Sequence, residues 1–213
     1  MRIVRWLCLT FVVAAVAGCA PRIHRAAGAV VKGPLPVTGL ATGHRLFVFR
    51  WTLEDPDMFS RGEGAVRQAA PDSARLDFFL GGGMGTGSAI LIGTELRLGG
   101  NADRMARRLV PPAPLLWAVL GRAAPPSLPD TVRRVDGDTV RIDIGHPMSW
   151  RLTFARDTLR RVEHVRGQRV VEWVSRAPDG RVRYRNEISR RQLDVVVTKT
   201  EGTTLDAAIW TLP

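Results

Sequence analysis

Cysteine and lysine are almost missing from this 213-residue chain. Its two cysteines, Cys8 and Cys19, are too few for a disulfide scaffold, and of its 31 cationic side chains only Lys32 and Lys199 are not arginine. Acidic residues are the minority, 20 against 31, which leaves a net charge of +11. So strong a preference for arginine is also what a GC-rich coding sequence produces, and basicity alone therefore argues little about partners. Aromatic residues make up 7%, and the composition has none of the bias of collagen or low-complexity disorder. What remains is 45% apolar residues on a length that suits one domain with a substantial core.

The most specific pattern lies at the start. Arg2 and Arg5 form a positive opening, and residues 6–16 follow as an uncharged, mostly apolar run of 11. A helix needs ~20 apolar residues to cross a hydrocarbon layer of ~30 Å, so this run reads as a secretory signal rather than a permanent span. Val16, Ala17, Gly18 and Cys19 come next. Small residues directly before a cysteine resemble the lipobox of bacterial lipoproteins, although Val16 stands where leucine is usual. The resemblance implies a signal peptide over 1–18, cleavage before Cys19 and acylation of Cys19. Cys8 leaves with the signal, so mature Cys19 has no disulfide partner, as a lipidated cysteine requires. Two or three acyl chains anchor a protein far more firmly than one. Residue 20 is Ala rather than the Asp that retains such lipoproteins at the inner membrane, so the resemblance implies the periplasmic face of the outer membrane. Loss of Arg2 and Arg5 leaves a charge of +9, drawn to anionic headgroups by about 1 kcal/mol per cation close to the surface. Nucleic acid is not an expected partner there.

Residues 19–43 are rich in Gly, Pro and Ala and read as a lipidated tether with an r.m.s. reach of roughly 25 Å, carrying a short helix at 23–31. Period-2 alternation governs residues 44–213. Phe47, Phe49, Trp51 and Leu53 share one face of a strand at 45–53. Leu76, Phe78 and Leu80 do so at 75–80, Ile90 and Ile92 at 88–92, and Leu96 and Leu98 at 95–98. Gly93-Thr94 is a two-residue hairpin signal, and Asp136-Gly137-Asp138 joins strands at 131–135 and 139–144. Further strands are expected at 150–154, 159–165, 169–174, 182–188 and 193–198. The total of about ten, at meander spacing and without long helices between them, makes the sheet antiparallel. Glu54, Asp55 and Asp57 surround Pro56 in a turn, while Glu172 and Glu187 look like cross-strand partners for arginine.

One stretch interrupts the strands. Asn101 is a suitable N-cap for a helix carrying Met105 and Leu109, which Pro111-Pro112 must stop. Pro114 opens a second segment, residues 115–120, that is apolar all round and ends at Gly121; it must be buried. Nearly every strand has a single apolar face, and two short helices cannot cover about ten of them. The simplest solution is mainly β: a strongly curved antiparallel sheet, an open half-barrel, wrapped around a helical lid. Any part left unfilled is a hydrophobic cavity.

This arrangement is similar to the outer-membrane lipoprotein carrier and receptor family, LolA/LolB-like, over roughly residues 46–120 and the C-terminal strands, ending at 205–213. Phe47–Leu53 resembles its opening aromatic strand, 75–80 the strand before its exposed loop, and 115–121 the helix that follows. The resemblance implies a cavity that takes the acyl chains of lipoproteins or lipids, with a soluble periplasmic carrier as a partner for the anchored receptor type. Phe47, Phe49, Trp51, Phe78, Leu96, Leu98, Trp117 and Leu120 are the candidates for its wall and lid. In the receptor the loop carries a hydrophobic residue that aids delivery into the membrane; the matching segment here, 81–87, is glycine-dense, and Met84 is its only apolar side chain. Trp51, Trp117, Trp150, Trp173 and Trp210 either fill a core or line such a cavity.

Other chemistries find little support. The glycine run lacks the Gly-Lys-Ser/Thr ending of a phosphate loop and lies between strands. His24, His44, His146 and His164 have no metal-ligand spacing, and no Gly-x-Ser-x-Gly elbow occurs. The expectation is a monomeric binding protein rather than an enzyme, without a cofactor or metal. The competing reading is an envelope lipoprotein that uses the same fold as a scaffold for a partner.

Overall fold

The computed structural model describes residues 21–212 apart from 35, 37, 41, 84 and 100–106; Cys19 and Met84 therefore lie outside the described residues. Thirteen strands form one antiparallel sheet: β1 (Ala29–Val30), β2 (His44–Asp55), β3 (Met58–Ala69), β4 (Ser73–Leu80), β5 (Thr86–Ile92), β6 (Glu95–Gly99), β7 (Thr131–Asp136), β8 (Thr139–Ile144), β9 (Trp150–Ala155), β10 (Thr158–Arg166), β11 (Arg169–Arg176), β12 (Arg181–Asn186) and β13 (Arg191–Gly202). Their order is β1-β7-β8-β9-β10-β11-β12-β13-β2-β3-β4-β5-β6, so among the described residues β1 and β6 end the sheet and the curved sheet stays open. The long β13–β2 pair joins two meanders, with Leu193 opposite Leu53 and Val195 opposite Trp51.

The strand β3 is hidden in the sequence because its inward positions are Gly62, Gly64, Val66 and Gln68. The glycines are there because large rings of β2 lie over them. A Cβ on Gly62 would stand 2.6 Å from the Trp51 ring, and one on Gly64 would stand 2.3 Å from the Phe49 ring. Flat aromatic side chains thus replace the missing side chains of the neighbouring strand. The turn around Pro56 is present, but it is a hairpin tip between two 12-residue strands.

Inside the curve sits the helix α1 (Ala113–Val119), whose Leu115, Leu116, Trp117 and Ala118 are buried. It ends as its sequence requires. Gly121, at φ +92°, donates to the Ala118 carbonyl, and the next amide, of Arg122, donates to Trp117. Of the preceding helix expected from Asn101, residues 107–109 are helical and 101–106 lie outside the described residues. Trp51, Trp117, Phe154, Leu53 and Leu152 are among the largest fully buried side chains, all within one core cluster.

Two terminal segments depart from expectation. Residues 23–31 are not helical: Ile23 donates to Gln168, Val170 donates to Pro21, Arg22 bridges Arg169, and Ala29–Val30 pair with β7. Arg151 reinforces this strap by donating to the His24 carbonyl at 2.8 Å while holding Asp143 at 2.6 Å. The stretch expected to run free is therefore hydrogen-bonded to the sheet between Pro21 and Val31. At the other terminus, 205–212 add no strand. A short 3-10 turn at Ala207–Trp210 crosses the outer face, where Arg75 donates to the Ile209 and Thr211 carbonyls.

A meander has two rims. The turns β2–β3, β4–β5, β10–β11 and β12–β13 form the lower rim, and β3–β4, β5–β6, β9–β10 and β11–β12 form the upper. Arginines on the outer face are matched by acids both across strands, as Arg67 on Asp77 and Arg183 on Asp194 show, and two residues away on the same strand, as Arg75 on Asp77 and Arg161 on Glu163 show.

Candidate functional site

α1 packs on the inner faces of β10, β11 and β12, while those of β2, β3, β4 and β13 curve around it and leave a gap. The gap is an apolar cavity of about 80 Å³. β2 contributes Phe47 and Phe49, β3 Val66 and Gln68, β4 Leu76 and Phe78, β13 Leu193, Val195 and Val197, and α1 with its end Leu116, Val119 and Leu120. Phe49 and Phe78 meet edge to face, centroids 6.0 Å apart, which fixes one wall. Leu109 and Pro111 close the cavity toward the lower rim, where Arg191 is tied to Asp55 at 3.2 Å and to the Arg108 carbonyl. The mouth is at the upper rim: Phe47, Val119 and Leu120 are half-buried there and Val197 is exposed.

Four of the wall and lid candidates, Phe47, Phe49, Phe78 and Leu120, line this cavity. The other four do not. Trp51 is packed flat over Gly62 and donates its indole N–H to the Glu63 carbonyl. Trp117 points away from the cavity, donating to the Gly93 carbonyl at 2.6 Å beneath the Arg122 guanidinium. Leu96 and Leu98 pack against the core from the edge strand β6. Trp150 stacks on His164, and Trp173 lies on the outer face between Arg161 and Glu187. Val66 escaped the sequence reading because β3 did; Leu193, Val195 and Val197 were legible as an alternating face, but nothing local says that β13 joins β2.

Among the described residues, Arg176 is the one charged side chain on the wall. Its Nη1 donates to the carbonyls of Ala118 and Val119, so it compensates the negative C-terminal end of α1. Burial, and then the nearby Arg160 charge, pull its pKa below the ordinary arginine value. Nothing in its local sequence marks it; only the docking of α1 on β11 does.

A second polar group lies on the inner face nearer the lower rim. Glu172 accepts from Tyr184 Oη at 2.8 Å and Asn186 at 2.9 Å, and its other oxygen is 3.2 Å from His164 Nδ1. The expected arginine partner is absent here because the neighbouring Arg161, Arg183 and Arg185 face outward; Glu187 pairs with Arg185 two residues back rather than across strands. Burial raises the Glu172 pKa, but His164, Tyr184 and Asn186 outweigh it and hold the carboxyl below the usual glutamate value. Burial and the same carboxylate push the Tyr184 hydroxyl well up. All the groups are mutually satisfied, which makes the cluster a lock between β10, β11 and β12.

The open antiparallel half-barrel around a short internal helix is a LolA-like fold. The chain is similar over 81% of its length to a LolA superfamily protein from Nitrosomonas europaea, of which it covers 92%, with TM-score 0.51 and 9% identity. It is also similar to a domain from Vibrio parahaemolyticus described as an outer membrane lipoprotein-sorting protein (9% identity, 79% and 89% coverage, TM-score 0.46) and to a DUF1329 family protein from Desulfovibrio piger (9%, 80% and 90%, 0.38). No protein-family model matches the sequence, and no curated protein matches it. Among the described residues no helix is long and apolar enough to cross a membrane.

Proposed function

We propose that this protein is an envelope lipoprotein, acylated at Cys19 and held on the periplasmic face of the outer membrane, that takes acyl chains of lipoproteins or lipids into its cavity and helps deliver them. The observation that carries this reading is the apolar cavity between the sheet and α1, open at one rim. The lipobox-like Val16-Ala17-Gly18-Cys19 and the fold of the structural neighbours support it. Binding needs no covalent chemistry: each methylene moved from water contributes about 0.8 kcal/mol, and a chain of ~15 roughly 12 kcal/mol. Transfer from cavity to bilayer exchanges one apolar environment for another and is nearly balanced.

The size of the cavity sets a condition. At 80 Å³ it has about half the volume of a ~150 Å³ cavity that accommodates benzene, so it takes a short stretch of chain. A complete chain enters only if α1 moves out from β12 and β13. Pro111-Pro112 before the helix and Gly121 after it supply ends about which it can swing. The small volume also favours a second reading, in which a nearly filled half-barrel is a scaffold for a partner protein.

Native mass spectrometry of the mature protein separates the two. Bound acyl lipid, lost in the cavity-filling variant Val195→Trp while that variant stays folded, supports the first reading. Protein free of lipid that also fails to bind an acylated peptide leaves the scaffold.

A further inference from the structure

The strap of residues 21–31 determines how the domain sits on its membrane. This inference rests on the reading of Cys19 as the lipid anchor. Pro21 is hydrogen-bonded to Val170 at the β10–β11 turn on the lower rim, and Ile23 to Gln168 of the same turn. Cys19 precedes Pro21 by two residues, so an acylated Cys19 is at most about 7 Å away along an extended chain. A link this short keeps the lower rim beside the anchor, which a tether of roughly 25 Å would not.

The same rim is equipped for a lipid surface. Ile188, in the β12–β13 turn, is 66% exposed, and Phe59, at the start of β3, is 65% exposed. Backbone register puts Ile188 near the level of Pro21 and Phe59 three residues, roughly 10 Å, farther up the sheet. The Glu187 amide donates to Val171, next to the residue that holds Pro21; Gln192 is opposite Glu54, and Glu54 is opposite Phe59. From β11 to β3 is four strand spacings, about 19 Å. Exposed Arg22, Arg166 and Arg190 flank Pro21 and Ile188, and exposed Arg61 stands beside Phe59, against exposed Glu54 and Asp57. Apolar tips set among an excess of cations match the boundary of an anionic bilayer.

We propose that the lower rim rests on an anionic phospholipid surface, with Phe59 and Ile188 in the headgroup layer and the cavity mouth facing away from the bilayer. Phe47 at the mouth is eight residues up β2 from Asp55, about 27 Å along the strand. Cargo then enters from the aqueous side.

The test uses the mature lipidated chain in vesicles of phosphatidylethanolamine and phosphatidylglycerol. Fluorescent probes are attached at Ile188→Cys or Phe59→Cys on the lower rim, and at Asp179→Cys on the upper, with a quencher carried on the lipid headgroups. The lower-rim probes are expected to be quenched several-fold more than the Asp179→Cys probe, the difference narrowing when phosphatidylcholine replaces phosphatidylglycerol. Protein that floats with vesicles but is quenched equally at both rims, or forms dimers cross-linked through Ile188→Cys, overturns the orientation alone. Protein that does not float overturns the anchor itself, and the orientation with it.

Discussion

Gly64→Ala tests the link between the hidden strand β3 and the cavity. The added Cβ would stand 2.3 Å from Phe49 Cζ and 2.7 Å from the Asp77 carbonyl oxygen, so both the ring and the β3–β4 ladder must give. Overpacking of this kind costs about 1–3 kcal/mol, while removing a strand glycine returns about 0.5–1 kcal/mol of conformational entropy. The Phe49–Phe78 contact, worth about 0.5–1.5 kcal/mol, is lost as the ring is displaced. The net expectation is a destabilisation of about 1–3 kcal/mol, with the ring driven into the cavity and acyl binding weakened. Urea unfolding of Gly64→Ala, Phe49→Leu and the double variant measures this. Because the shorter side chain relieves the ring clash but not the one with Asp77, the double variant should be more stable than the sum of the singles by about 0.5–2 kcal/mol. A neutral or stabilising Gly64→Ala, or strict additivity, would refute the account of β2 packing on β3.

Three further outcomes are expected. The low pKa of Glu172 contributes stability that is present above the usual glutamate value and lost as pH falls through the lower folded value, so Glu172→Gln should be less stable at neutral pH but flatten the acid limb below the usual glutamate value in pH-dependent unfolding. Arg176→Met leaves the Ala118 and Val119 carbonyls without their cation and should cost about 1–2 kcal/mol by chemical denaturation; a stabilised variant would mean that burying the charge outweighs its contact with α1. Trp117→Phe loses the donor to Gly93 and also leaves part of a fully buried indole site empty, and thermal unfolding should report a loss of about 2–3 kcal/mol together with faster amide exchange at the β5–β6 hairpin.

The strands whose inward residues are bulky were legible as alternation, including the Gly93-Thr94 hairpin, where the turn needs positive φ and Gly93 has it at +57°. The burial of α1 and its stop at Gly121 were legible for similar local reasons. The strand β3 was not, because its inner face borrows side chains from β2. Among the candidate residues, Phe49 and Trp51 carry the same alternation signal, yet one faces the cavity and the other packs over Gly62. Which of them does so depends on where α1 lies, and no local pattern records that.

Composition, period-2 alternation and the proline and glycine stops on α1 were enough to determine a mainly β half-barrel around a buried helix, because each acts over a few neighbouring residues. Tertiary structure alone decided that β13 pairs with β2, that Arg176 reaches the end of α1, and that the expected tether from Pro21 to Val31 lies along the sheet. These depend on contacts between residues far apart in the chain, where pairing and burial are set by the whole folded sheet.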